Sequence, residues 1–485
     1  MATRLNLGYS DAHARAALRP EPDHPRPLVP HWLFAALFVA GVVLRVVTVS
    51  AYQPAFFLND SLYYLANTAE LSSAGYWPVG YSVVLRGILA VGDLATVVWV
   101  QHAVGLLIAA GIYVLLLRAG ARPWIAAVAA APLLLDGYQL VIQHYVLGET
   151  WFELLTFVAF AFLTDRVGRL GTARTRLVTA GLAGLALGLA VSIRLVGVLL
   201  IVPLIGYLLI EHRLLRQRAA AAVLCVAMVA LPVLAMLLAF RAETGELGLT
   251  SIGGRMLYAR IAPWVDCSRV DPPASQRSLC PAEPLGSRMK IEAYMWDRST
   301  PAWIFDPADA PPGATTDDVL RDFAKRAILA QPGDFVRAVA SDMVKAFAPT
   351  RRQYEGDVRV ARWRFQLEYP RSFRDSTFDA TFDGAPPVLR LDPGQARLLR
   401  GYQLSIGSTS GMLLAIALVL GAVGAAFRTP LRWVALPWVA GALIVMLAPS
   451  VYQFSWRYML PGLVLAPVAG AYGATALWPR APHGG

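Results

Sequence analysis

Apolar residues in this chain fall in long uncharged blocks, separated by short clusters of Arg, Asp and Pro. Leu177–Ile193, Ala219–Phe240, Met412–Phe427 and Val434–Ser450 contain no charged residue. Each approaches the ~20 residues that span a hydrocarbon core as a helix. A bilayer admits only helices or closed barrels, because backbone groups find no water there. Barrel strands alternate polar and apolar residues. These runs do not alternate, so helices are predicted. About ten spans result, near 31–50, 97–117, 123–143, 148–164, 177–193, 195–211, 219–240, 408–427, 433–449 and 458–478. The fold class expected is an all-α polytopic membrane protein.

The polar stretches between the spans give the organisation. Residues 1–30 read as a disordered basic cytoplasmic tail with Arg4, Arg15, Arg19 and Arg26 and no signal-peptide pattern. Residues 31–240 form an amino-terminal membrane module with a long first outer loop, 51–96. Residues 241–402 form an extracytoplasmic domain of mainly helical or irregular structure, 403–478 the last membrane helices, and 479–485 a cytoplasmic tail. Arg118, Arg122, Arg166, Arg169, Arg174, Arg176, Arg213, Arg216, Arg218, Arg428, Arg432 and Arg480 all fall on one side, as the positive-inside rule demands. Arg45, near the outer end of the first span, is expected to snorkel to the interface. The stretch Val79–Val91 fits either another span or a helix on the outer surface. Gly181, Gly184 and Gly188 form a small-residue face suited to close helix packing. In the extracytoplasmic domain, Leu320, Phe323, Ala324, Ala327 and Ile328 recur at helical spacing, followed by a second stripe of Phe335, Val339, Met343 and Phe347.

Composition adds to this picture without changing it. Of 485 residues, 56% are hydrophobic and only 15% charged, against roughly 25% charged in soluble domains. The net charge of +11 is read as positive charge retained on the cytoplasmic side, with no nucleic-acid motif beside it. Cys225 lies within a span. Cys267 and Cys280 lie together in the extracytoplasmic domain, where a disulfide is permitted. Phosphate-binding glycine loops and hydrolase or metalloprotease signatures are absent. Asn59-Asp60-Ser61 matches a glycosylation sequon, a pattern short enough to arise by chance.

The first outer loop carries the candidate chemistry: Phe57-Leu58-Asn59-Asp60-Ser61-Leu62-Tyr63-Tyr64, then Trp77-Pro78-Val79-Gly80-Tyr81. Asp60 opens a short helix, with Tyr64 on or beside its face. Two readings fit: a helix cap, or a carboxylate displayed for chemistry. The pattern Asp60-Ser-x-x-Tyr64 followed by Pro78-x-Gly80-Tyr81 resembles the first loop of GT-C glycosyltransferases, the multi-spanning enzymes that use polyprenyl-phosphate sugars and include protein O-mannosyltransferases and aminoarabinose transferases. Three further elements follow in order and resemble the same family: Gly148-Glu149-Thr-Trp-Phe-Glu153, the glycine-rich run from Gly184 to Arg194 and Gly197, and Arg457-Tyr458-Met-Leu-Pro461. This chain has Ser61 where many relatives carry a second acidic residue.

The resemblance implies that Asp60 is the catalytic base and that the active site is extracytoplasmic. It implies a polyprenyl-phosphate sugar donor and a glycan, lipid or protein acceptor. Tyr64, Tyr81, Glu149, Arg194, Arg255, Arg457 and Tyr458 are the candidate donor-binding residues, the arginines because guanidinium pairs well with phosphate. Each arginine also fits lipid contact or a structural ion pair, and Glu149 fits an ordinary first-turn carboxylate. A divalent cation is compatible with Glu149, with His144 and Asp136 nearby, but no ligand spacing specifies one. Localisation in a bacterial plasma membrane with both termini cytoplasmic is expected. Two other classes stay open: a secondary transporter or lipid flippase, and a non-catalytic envelope assembly protein. Only the enzyme reading requires the Asp60 carboxylate for turnover.

Overall fold

In the computed structural model, residues 31–165, 169–211, 215–369, 388–427 and 431–478 are described. The tails 1–30 and 479–485, with Arg166, Arg213, Arg428 and Arg480, lie outside the described residues. Among the described residues the regular structure is helical apart from one two-residue ladder and one isolated bridge, Phe56 with Tyr145. The membrane helices are α1 (Trp32–Ala51), α4 (Leu94–Arg118), the pair α5 (Pro123–Leu135) and α6 (Gly137–His144), α7 (Glu149–Thr164), α8 (Ala173–Ile193), α9 (Ile201–Glu211) after a 3-10 turn at Leu195–Leu200, and α10 (Leu215–Thr244). After the polar domain follow α17 (Gly411–Ala426), α18 (Arg432–Leu447) and α19 (Gly462–Leu477). A helix lies at each of the ten predicted places. Six are long and apolar enough to cross a membrane by themselves, or seven if the bent pair counts as one.

Between α1 and α4 lie α2 (Asn59–Glu70) and α3 (Gly80–Leu89). At ten residues α3 is about 15 Å long, half a hydrocarbon thickness, so Val79–Val91 does not form a span. It packs against α2, α4 and α8 instead. The strand Tyr52–Gln53 pairs antiparallel with Arg390–Leu391, tying the first loop to the chain just before α16 (Pro393–Ser405).

Two packing features organise the membrane part. The glycine face of α8 lies on α10, and a Cβ at Gly188 would meet the Val229 carbonyl at 2.7 Å. Only small residues allow backbones so close. The last helix, α19, is buried almost throughout among α5, α17 and α18. The turn that leads into α19 is therefore anchored from all sides.

Arg45 corrects the expectation of a snorkelling side chain. It is fully buried, and its guanidinium donates to Gly41 O (2.9 Å), Leu134 O (3.0 Å) and Leu133 O (3.0 Å). The reason is the break between α5 and α6, where the chain bends by 52°. The break frees carbonyls that nothing in the bilayer can satisfy. Arg45 takes two of them and the Tyr402 hydroxyl takes a third, Leu135 O, at 2.5 Å.

The polar domain contains α11 (Gly253–Ile261), α12 (Ile291–Trp296), α13 (Pro301–Ile304), α14 (Thr316–Ala330) and α15 (Pro332–Lys345). It has a hydrophobic core of its own: Tyr258 and Ile261 of α11 close against Leu320, Phe323 and Ala327 of α14. The first predicted stripe thus faces α11. In the second, Val339 is buried and Phe335, Met343 and Phe347 are partly so. Thr315 caps α14 by accepting from Asp318 N (3.2 Å). Cys267 and Cys280 are disulfide-bonded at the edge of this core, with Cα atoms 6.1 Å apart.

Candidate active site

Asp60 does not cap α2. The Ser61 hydroxyl does that work, accepting from Leu58 N at 3.0 Å. The serine that stands in place of a second acid therefore frees Asp60 to point elsewhere. Its carboxylate accepts from Arg457 Nη1 at 2.6 Å, a contact across 397 residues of sequence.

Arg457 sits in the 3-10 turn Trp456–Met459, immediately before α19. Its Nε bonds the Glu149 carboxylate, and Arg194 Nη1 bonds the same oxygen. Glu149 is the first residue of α7, and Arg194 lies where α8 gives way to the following 3-10 turn. Four charges from four chain segments thus meet: two carboxylates and two guanidiniums, formally neutral. Glu149 is 1% exposed, whereas Asp60 is 23% and Arg194 20% exposed. The cluster is sealed at Glu149 and open at its other end. A buried charge persists only when paired, and here each carboxylate has a guanidinium.

Aromatic rings surround the cluster. Arg194 lies 5.0 Å from the Tyr458 ring centre, and Arg457 lies 5.6 Å from Trp363 and 5.8 Å from Tyr458. Tyr64 is buried beside them, and burial followed by the Asp60 and Glu149 charges pushes its phenol well above the ordinary value. Tyr81 touches Tyr64 edge-on at 5.0 Å and donates to Gln101 Oε1 at 2.7 Å. Its ring lies against Gly148, where a Cβ would sit 3.2 Å from Tyr81 and 2.8 Å from Ile193. Tyr81 acts through packing at the start of α7. Arg255 stands apart, its guanidinium 3.9 Å over Trp303 in the polar domain. Asp136 is held by Arg351 (2.8 and 2.9 Å), and His144 faces His102 (3.3 Å), so neither joins Glu149. Among the described residues no group of three or more His, Cys, Asp or Glu side chains is arranged to hold a metal ion.

A cavity of about 100 Å³ opens beside the cluster. Asp60, Arg457 and Tyr458 form one side, with Tyr452, Gln453 and Ser455 from the same turn. The polar domain supplies the other side through Glu292, Met295, Trp296, Arg362 and Trp363. Sequence reasoning missed this second wall. Its residues lie in the six-residue helix α12 and the 3-10 turn Val360–Trp363, both too short for periodicity to single out, and only the interleaved Trp and Arg of Ala361-Arg362-Trp363-Arg364 offered a signal.

Residues 91–244 match the family model of dolichyl-phosphate-mannose-protein mannosyltransferases. The match includes Glu149 and Arg194 and stops short of Asp60 and Arg457. It agrees with the family resemblance read from the sequence. Both point to a glycosyltransferase. No curated protein matches the chain. Solved structures similar to it include the protein O-mannosyltransferase Pmt1–Pmt2 complex of S. cerevisiae bound to the sugar donor, at 15% identity over 55% of this chain and 39% of that one, with a TM-score of 0.35. The oligosaccharyltransferase AglB of Archaeoglobus fulgidus, in complex with an inhibitory peptide and a dolichol-phosphate, is 12% identical over 93% of this chain and 51% of its own, with a TM-score of 0.43. ArnT of Cupriavidus metallidurans, bound to undecaprenyl phosphate, is 13% identical over 92% of this chain and 77% of its own, with a TM-score of 0.36. The chain therefore spans less than two thirds of the yeast and archaeal proteins.

Proposed function

We propose that the protein is a membrane glycosyltransferase that moves a sugar from a polyprenyl-phosphate donor to a cell-envelope acceptor, with inversion, at the extracytoplasmic face of a bacterial plasma membrane. The observation that carries this reading is the Asp60–Arg457–Glu149–Arg194 cluster opening on a cavity walled by both membrane helices and polar domain.

Each group has a task in that reaction. The donor's tail stays among the membrane helices. Its phosphodiester carries one negative charge, and Arg194 and Arg457 offer guanidinium donors to it. Glu149 keeps both guanidiniums aimed and neutralised before the donor arrives. Asp60, the more exposed carboxylate, accepts the proton of the acceptor hydroxyl. The oxygen forms a new bond to the anomeric carbon as the bond from that carbon to the phosphate oxygen breaks. Polyprenyl phosphate leaves with the electron pair, and Arg457 stabilises its growing charge. Because Asp60 gives up its Arg457 contact to the phosphate, donor binding itself releases the base.

The test is transfer from radiolabelled polyprenyl-phosphate sugars to an envelope extract by wild type and Asp60→Asn, with donor binding measured on both. General-base loss is expected to cost ~10²–10⁴-fold in rate while donor binding is retained or tightened, since the competing Arg457 contact is weakened. Equal transfer by both proteins removes Asp60 from the reaction, and absence of transfer with every donor moves the weight to a transporter or an assembly protein.

A further inference from the structure

The wall that the polar domain contributes differs in character from the charged cluster opposite. Trp296 and Trp363 line the cavity from this wall, Trp77 of the first loop lines it beside them, and Tyr452 stands at its edge. Trp296 is 40% exposed, and its ring is held at a tilt 6.3 Å from Trp77 and 6.1 Å from Tyr76. Rings held this way lose little freedom when something stacks on them.

Packed behind the cavity lining, on both of its sides, are polar groups that lack partners. Trp363 Nε1, Gln453 Nε2 and Ser455 Oγ are buried and have no hydrogen-bond partner among the described residues. Trp363 and Ser455 are both only 3% exposed. An unmade hydrogen bond at a buried group is costly, and native proteins tolerate few of them. Two of these atoms can only donate, and the third donates or accepts. The fixed backbone beside them rules out casual placement: Tyr145 OH bonds Arg362 O (2.9 Å) and Gln403 Nε2 bonds Trp363 O (3.1 Å). The Glu292–Arg362 ion pair completes the rim with an acceptor and further donors.

A surface that offers an exposed indole ring and a half-exposed ion pair is complementary to a ring with apolar C–H faces and a rim of hydroxyls. We propose that this wall is a saccharide subsite, so that the acceptor is a glycan presenting a terminal sugar hydroxyl to Asp60. This inference rests on the glycosyltransferase reading and narrows its acceptor. A sugar ring stacks on Trp296, and its hydroxyls bond the half-exposed Glu292 and Arg362 side chains at the rim. The cavity takes the reacting end of the acceptor only, because about 100 Å³ leaves no room for a longer segment. A peptide would ask for exposed backbone partners in a row, whereas the exposed polar groups at this rim are the Glu292 and Arg362 side chains.

The experiment reads binding alone, so that it stands whether or not transfer is seen. The full-length protein in nanodiscs is titrated with mannotetraose, arabinotetraose and a Ser/Thr-rich peptide, followed by saturation-transfer NMR. At least one saccharide is expected to bind through its ring C–H protons. Trp296→Ala should weaken it roughly tenfold, a typical loss for a stacked aromatic anchor. Trp296→Phe, which keeps a ring, should retain most of the affinity. Peptide binding in place of saccharide, failure of every saccharide to bind, or equal binding by wild type and Trp296→Ala overturns the proposal. Loss of transfer in the radiolabel assay with saccharide binding intact would instead count against the glycosyltransferase reading.

Discussion

Replacing Glu149 with Gln removes one charge and almost no volume. That carboxylate is 1% exposed and touches Arg194 and Arg457, themselves 20% and 7% exposed. After the change, two guanidiniums share the single carboxylate of Asp60. Deleting one partner of a buried pair typically costs ~3–5 kcal/mol, because the other charge stays desolvated and unpaired. Two effects reduce the figure. The Gln carbonyl still accepts a hydrogen bond from a charged donor, and Arg194 is open enough to turn toward solvent. The expected loss is therefore about 2–3 kcal/mol, the buried-pair cost less part of a charge-assisted hydrogen bond. A surface comparison fixes the scale. Arg337 is 81% exposed and pairs with Asp334 at 3.1 Å, so Arg337→Gln should cost under ~1 kcal/mol. Both variants are compared with wild type by denaturant titration of the protein in mixed micelles, taking midpoints at equal slope. Adding Arg194→Gln to Glu149→Gln should recover part of the loss, since it removes the cation left unpaired. If Glu149→Gln shifts the midpoint no further than Arg337→Gln, Glu149 is not what neutralises the two arginines, and the account of the cluster fails.

Replacing Cys267 and Cys280 with Ser opens a loop of sequence separation 13, for which chain entropy gives about 3 kcal/mol. Limited proteolysis should then cut the polar domain first and leave the membrane helices intact, and unchanged cleavage would show that the core of α11 and α14 holds without the bridge. The hydrogen bond from the Thr315 hydroxyl, followed by backbone and Arg321 contributions, holds the Asp318 carboxyl below the usual range. A folded pKa below the unfolded value stabilises above about pH 4 and loses that contribution as pH falls through the folded pKa. Asp318→Asn should flatten the acid limb of a stability–pH curve and leave the region between about pH 6 and 8 parallel to wild type. A parallel acid limb would remove Asp318 from that limb.

The pattern of apolar blocks carried the helices because each block is a local property. Boundaries near Trp32, Arg118, Ile193 and Thr244 follow from where charge or Pro interrupts the run. What it did not carry was continuity. The third block read as one span over 123–143, yet Pro132 and the Asp136-Gly137 pair break it at 52°. Asp136 caps α6 by accepting from Tyr138 N (2.9 Å) and Gln139 N (3.2 Å), a capping pattern visible in the sequence but submerged in an apolar run. The burial of Arg45 is a consequence of that break and so could not be read before it. A lone Arg at a helix end has a default partner, the headgroup layer. It changes partner only when another segment, here 133–134, presents carbonyls with no other donor.

The candidate site divides along the same line. Asp60, Glu149, Arg194 and Arg457 each stand at a helix end, where an ionisable residue is conspicuous against apolar neighbours. Their meeting is long-range, but their conspicuousness is local. Trp296 and Trp363 end elements of only six and four residues, Gln453 and Ser455 lie in irregular chain, and nothing near any of them in sequence marks them. Their candidacy comes only from what surrounds them in space: an exposed ring at the cavity and donors buried without partners. The two walls also differ in what they hold together. The charged wall joins α2, α7, α8 and the turn before α19, so it belongs to the membrane part and is fixed by how those helices pack. The aromatic wall takes Trp296 and Trp363 from the polar domain and Trp77 from the first loop, and the segment 452–458 adjoins both walls. That shared segment is held to the polar domain's own chain by Trp456, whose Nε1 donates to Arg352 O at 3.1 Å.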